Sequence, residues 1–349
     1  MCSKNSFIFL NVTMSRYGEV AMKRFLFVFS VLVLSVGWMG TVEAATQDKY
    51  DLPEPYLAWE KAYLKEFPQL QGVMDVMIQT TINQMKEPKE DILHNRVCSA
   101  IAYWLAKEQK MPKEAQRLAV IGDLLHNINK EEKEAVLTNP DLMNQANLMV
   151  KKLKGSGYFK NSPKFWADEA VLKNPKIGNN RALIHHITGA IQTGQILKQL
   201  GGISEKDVEA IQATIIQHST GYWYFRASID EVVGYKGAWE IVFPEPETDL
   251  SKFVHDADLI SQFVPESVTP EGSKWRGLAQ KRWGAKNTVE EAHIVYYVFF
   301  RLFEEAKTKP GKDLALEQWK KIRPELIKLM NLKPDQDPIK ILGVPKIFQ

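Results

Sequence analysis

Five of the seven histidines in this 349-residue chain sit on or beside stretches whose apolar residues recur every three or four positions. They are His94, His126, His185, His186 and His218. This placement constrains the fold more than any other feature. An imidazole on the apolar stripe of a helix points into a helical core, where it needs a hydrogen-bond partner or a metal. Several imidazoles and one carboxylate, Asp256, delivered to one interior from different helices are what a buried transition-metal site requires.

The chain reads as all-α. Tyr56 to Met85 is expected to form two helices, split near Pro68. Asp91 to Gln109 carries Val97, Ile101 and Leu105 as a stripe, and Pro112 opens a helix through Leu118, Ile121 and Leu125. Lys130 to Glu134 is expected to be a charged turn. Residues 138–180 are broken by Asn139-Pro140, Gly155-Ser156-Gly157, Ser162-Pro163 and Asn174-Pro175, so only short helices are expected there. Ala182 to Leu200 is a helix ended by Gly201-Gly202. Ser204, with Asp207 three residues on, caps the next, whose stripe Val208, Ile211 and Ile215 runs on to His218. A loop then leads to Pro244-Glu245-Pro246. Leu250 to Phe263, 288–306 and 313–330 complete the expected helices.

The first 45 residues read as a processing segment. Met22-Lys23-Arg24 is a basic start, Phe25 to Trp38 is largely apolar, and Val42-Glu43-Ala44 places small residues before Ala45. This is the pattern of a secretory signal peptide over 1–44, with Met22 as the expected start. The apolar run is shorter than the ~20 residues a membrane helix needs, so no stable membrane insertion is expected after cleavage. The protein is expected to be periplasmic or secreted. Cleavage removes Cys2 and leaves Cys98 alone, which excludes an internal disulfide. The net charge of +3 is too slight to imply a nucleic-acid polymer as partner.

His94 shares a face with Val97 and Ile101, and His218 with Ile211 and Ile215. Asp256 lies between Phe253 and Ile260 on an inward stripe. Cys98, one turn after His94, is expected to be a small buried apolar residue. His255 and Asp258 are expected to be solvated. Asp123 is expected to be a helix-surface charge, with partial replacement of a missing carboxylate as its alternative role. His293 is expected to be a core or surface histidine and no ligand, and the aromatic run Tyr222 to Phe225 is expected to serve packing.

The order of these residues resembles the HD-domain superfamily of metal-dependent phosphohydrolases. His94-Asn95-Arg96-Val97 is similar to the first histidine of that family with its neighbours. Leu124-Leu125-His126-Asn127-Ile128-Asn129-Lys130 is similar to its Leu-Leu-His-Asp-Ile-Gly-Lys motif. Asp256-Ala257-Asp258 resembles its terminal Asp-Ala-Asp, whose first aspartate binds metal. His185-His186 and His218 match the two further histidines of members that hold more than one ion. The likeness spans roughly residues 90 to 262. Asn127 departs from the pattern, because an amide oxygen is neutral where the family has a carboxylate.

The resemblance implies an HD-domain helical bundle over 89–264, with helical extensions over 45–88 and 265–349. It implies metal ligation by His94, His126, Asn127, His185, His218 and Asp256, with one or two divalent ions, Mn, Fe, Zn or Mg. It further implies hydrolysis of a small-molecule phosphoester or nucleotide by metal-activated water, with Lys130 and His186 as catalytic groups and Arg96 and Arg181 on the substrate. A di-iron oxygenase of the same superfamily and a degenerate binding domain are the alternatives, the latter because of Asn127.

Overall fold

Helices form where the apolar spacing is helical, and most begin at an Asn, Asp, Ser or Thr that caps them. In a computed structural model of the chain, residues 52–86, 88–219, 222–263 and 274–349 are described. The expected signal peptide over 1–44 lies outside the described residues. Among the described residues there are fifteen α-helices and no strand. None of these helices is long and apolar enough to cross a membrane.

The first four are α1 (Tyr56–Glu66), α2 (Leu70–Gln84), α3 (Pro88–Glu108) and α4 (Lys113–Leu125). The break between α1 and α2 falls at Pro68, as the sequence indicates. Helix α3 begins on proline and carries Glu90 and Asp91 in its first turn, which suits the positive end of the helix.

The segment 138–180 holds a longer element than expected. Asn139 caps the sixteen-residue helix α5 (Pro140–Gly155), accepting from the N–H groups of Asp141 and Leu142. Proline at the first helical position promotes this start and does not break it. Short helices α6 (Glu169–Lys173) and α7 (Pro175–Gly178) follow. Next come α8 (Arg181–Leu200) and α9 (Glu205–His218), the latter capped by Ser204 as expected.

The aromatic run after His218 opens a further helix, α10 (Trp223–Val233), where the sequence suggested a loop. Helix α11 (Asp249–Ser261) carries a capping box in which Thr248 and Ser251 exchange hydrogen bonds. The chain ends with α12 (Lys274–Trp283), α13 (Thr288–Phe303), α14 (Lys309–Leu329) and α15 (Pro338–Leu342).

Leu52–Gln349 forms one compact unit. Its centre is α3, which packs on α4, α11, α1 and α2, while α11 also touches α4, α9 and α14. The segments expected as extensions therefore share the central core. Tyr63, Leu70 and Met77 of α1 and α2 are fully buried. Helix α14 joins through a polar contact. Its N-terminal Lys307 and Thr308 donate backbone N–H bonds to the Asp256 carboxylate at 2.7 and 2.8 Å, and the Thr308 hydroxyl donates a third at 2.6 Å. A carboxylate at a helix N-terminus neutralises the partial positive charge there.

Candidate metal centre

Four helices and one helix end bring their polar residues to one place. His94 lies in the second turn of α3, and His126 is the residue that ends α4. His185 lies one turn into α8, His218 closes α9, and Asp258 lies in the second half of α11. His126, His185, His218 and Asp258 are buried, and His94 is half-buried.

The Nε2 atoms of His94 and His126 are 3.1 Å apart, and those of His185 and His218 are 3.2 Å apart. The Asp258 Oδ1 lies 3.2 Å from His94 Nε2 and 3.7 Å from His126 Nε2. The His126 and His218 ring centroids are 5.0 Å apart, which joins the two pairs into one row of imidazoles. His94, Cys98, His126 and Asp258 each bring a ligand atom within 4.8 Å of the others, so this group can hold a metal ion.

The backbone fixes which nitrogen of each ring faces the centre. The Nδ1 of His126 lies 2.7 Å from the Asp123 carbonyl, that of His185 3.1 Å from the Arg181 carbonyl, and that of His218 2.6 Å from the Ile215 carbonyl. A carbonyl oxygen only accepts, so each Nδ1 carries the proton and donates it. In the neutral ring, Nε2 then presents a lone pair inward. Burial, with the neighbouring positive charges, holds His185 and His218 well below the usual imidazole pKa, so both are neutral near pH 7. Their facing Nε2 atoms are two acceptors in contact, and a cation between them removes that conflict. The separation suits this, because two nitrogens bound to one ion at ~2.1 Å lie about 3.0–3.4 Å apart.

Asp258 is built to stay ionised. Burial alone would raise its pKa, but His126 and His94, when protonated, hold it well below the usual carboxylate range. Its Oδ2 accepts from the Tyr222 hydroxyl at 2.8 Å and its Oδ1 from Gln262 at 3.3 Å. Asp123 is the reverse case. It is fully buried, both of its carboxyl oxygens lack a hydrogen-bond partner, and burial plus the Asp258 charge push its pKa well up. Oδ1 of Asp123 is 3.8 Å from His126 Nδ1. The Cys98 Sγ lies 3.7 Å from His94 Nε2, and burial pushes its thiol pKa well up.

Several expectations need correction. Asp256 is buried, but its carboxylate is spent on the start of α14 and it is not in the cluster. Asp258 stands there in its place. Asp258 and His255 are both buried, not solvated, and His255 Nδ1 lies 3.2 Å from Asp256 Oδ1. Asp123 is likewise interior and no surface charge. Arg96 does not face a substrate: its guanidinium grips Glu60 of α1, with Nε 2.8 Å and Nη2 2.5 Å from the two carboxylate oxygens. His186 serves packing, since its Nε2 donates to the Val242 carbonyl at 2.9 Å and its ring stacks on Phe243. Cys98 is buried as expected, yet belongs to the ligand group. Asn127 is buried directly after His126, and its backbone carbonyl accepts from the Lys130 N–H at 3.2 Å.

Asp258 escaped notice because α11 is interior on every side. All residues from Phe253 to Ser261 are buried, so periodicity cannot select the face that meets the histidines. One signal was available: Asp258, Ser261 and Gln262 form a polar stripe at i, i+3 and i+4 along the end of this helix.

Lys130 and Arg181 lie together. Both line an open cleft beside His185, whose Nδ1 is held by the Arg181 carbonyl. No family model, curated protein or solved structure matches the chain.

Proposed function

We propose that the protein is an exported, metal-dependent hydrolase of HD-domain type that acts on a phosphoester. One observation carries the reading. Two pairs of imidazoles from four helical segments face each other through Nε2 at ligand separation, beside an ionised Asp258. A nitrogen-rich donor set with one carboxylate and one thiol suits Zn, Fe or Mn better than Mg, which prefers oxygen ligands. A divalent ion held there supplies water of lowered pKa and neutralises charge on the phosphoryl oxygens.

The chain's own residues supply the rest. The Asp123, Arg181 and Ile215 carbonyls fix three rings in the tautomer that ligates. Tyr222 orients Asp258 and remains a phenol, since burial and the Asp258 charge raise its pKa. Lys130 and Arg181 supply positive charge in the cleft next to His185, where a phosphate would be steadied.

Hydrolysis of p-nitrophenyl phosphoesters after loading with Mn or Zn tests the proposal. Turnover that disappears in Asp258→Ala and His126→Ala, with both variants folded, supports it. Iron with an oxygen-dependent optical change would point to the oxygenase chemistry instead. Metal retention without turnover of any phosphoester would leave a binding role.

A further inference from the structure

We propose that the cleft beside His185 binds a second anionic group of the substrate, so that the substrate is a compact polyanion recognised without a nucleobase. This deepens the hydrolase reading and rests on it for the reaction, although not for the binding. The cleft has a volume of about 570 Å³, within the range of small-ligand sites. Lys86, Lys130, Lys133 and Arg181 line it, and Glu131 is the one lining carboxylate. Such a surplus of cations focuses potential toward an anion.

Two further observations point to a ligand. Arg181 Nη1 is buried and has no hydrogen-bond partner. Leaving a buried guanidinium N–H unsatisfied is costly, and a turn of the Arg181 side chain toward an anion in the cleft would remove that cost. The cleft also meets the start of α8, a twenty-residue helix whose N-cap Asn180 makes no side-chain cap. Its first N–H groups and its dipole favour negative charge at this point.

The lining also limits the substrate class. No aromatic side chain is among the lining residues, so a base has no ring to stack on. The cleft is linked to the histidines through Arg181, which lines it and whose carbonyl holds His185. A ligand reaching from the histidines into the cleft would place a second phosphoryl group among Arg181, Lys133 and Lys86. Phosphoanhydrides and multiply phosphorylated sugars or polyols have this chemistry.

Calorimetric titration of the full chain with orthophosphate, tripolyphosphate and ATP tests it, in EDTA and again after Mn loading. In EDTA, tripolyphosphate should bind about tenfold or more tighter than orthophosphate, and ATP no tighter than tripolyphosphate. Arg181→Gln, Lys133→Gln and Lys86→Gln should each weaken tripolyphosphate several-fold, and the two lysines are exposed, so their variants should fold. Equal affinity for the two inorganic anions, or no effect of the three variants, would overturn the proposal. Much tighter binding of ATP would show base recognition and overturn it as well. A chain that retains no metal refutes the hydrolase reading while leaving the EDTA titration to decide the subsite.

Discussion

Two carboxylates two positions apart on α11 have different tasks. Asp256 receives three hydrogen bonds from the start of α14, and Asp258 faces His94 and His126. Asp256→Ala strands three donors, two of them buried, and should cost about 3 kcal/mol or more of stability, read by urea denaturation. Asp258→Ala should instead abolish metal retention while the chain stays folded. If Asp256→Ala removes the metal with no loss of stability, the assignment of the two residues is reversed. The sequence could not separate them, because both lie on a helix buried all round. It did identify the imidazoles, since an apolar stripe that ends in His218 or begins at His94 leaves the ring no direction but inward. His186 adds a pH effect. Burial lowers its pKa from 6.5 to about 4, partly offset by the Val242 carbonyl. The unfolded chain takes up this proton near pH 6.5 and the folded chain only near pH 4. Stability therefore falls as the pH drops through that window, by roughly 3 kcal/mol from this group. In EDTA, His186→Gln should lose that share of the pH dependence, and an unchanged pH profile would show that His186 does not titrate in this way.

At the scale of elements, polar clamps join helices far apart in sequence. Gly311 in the first turn of α14 lies against the Asp256 carboxyl, and a methyl group there would collide with it. Gly311→Ala should lower stability by about 2 kcal/mol or more, and the midpoint of thermal unfolding reports it. No change would mean that α14 can shift away from α11 freely. Arg96 and Glu60 form the matching clamp between α3 and α1. Arg96→Met leaves a buried Glu60 unpaired and should cost about 3–5 kcal/mol in the same assay, without lowering metal content. Loss of metal in a folded Arg96→Met variant would return Arg96 to the site. The helix boundaries of α1 to α4, α8 and α9 were legible because Pro68 and Pro112, the Gly201-Gly202 stop, the Ser204 cap and the apolar stripes agree there. Helix α5 was obscured because Asn139-Pro140 reads as a turn, although the same pair is an N-cap followed by a first helical residue. The clamps were not legible at all, because Glu60, Arg96, Asp256 and Thr308 are paired across distances that no local pattern encodes.

For the molecule as a whole, the described residues from Leu52 onward form one compact helical unit with a buried cluster of imidazoles in its interior. The facing Nε2 atoms make this interior a place where a bound cation would add stability, since a ligand held only by the folded chain shifts unfolding toward higher denaturant. The most direct measurement is elemental analysis of the purified protein after loading with Mn, Zn or Fe and removal of free ions, with His126→Ala and Asp258→Ala alongside. One to two ions should be retained per wild-type chain, with a clear loss in both variants. A folded wild-type chain that retains no metal, or variants that retain as much as it does, would contradict the metal centre.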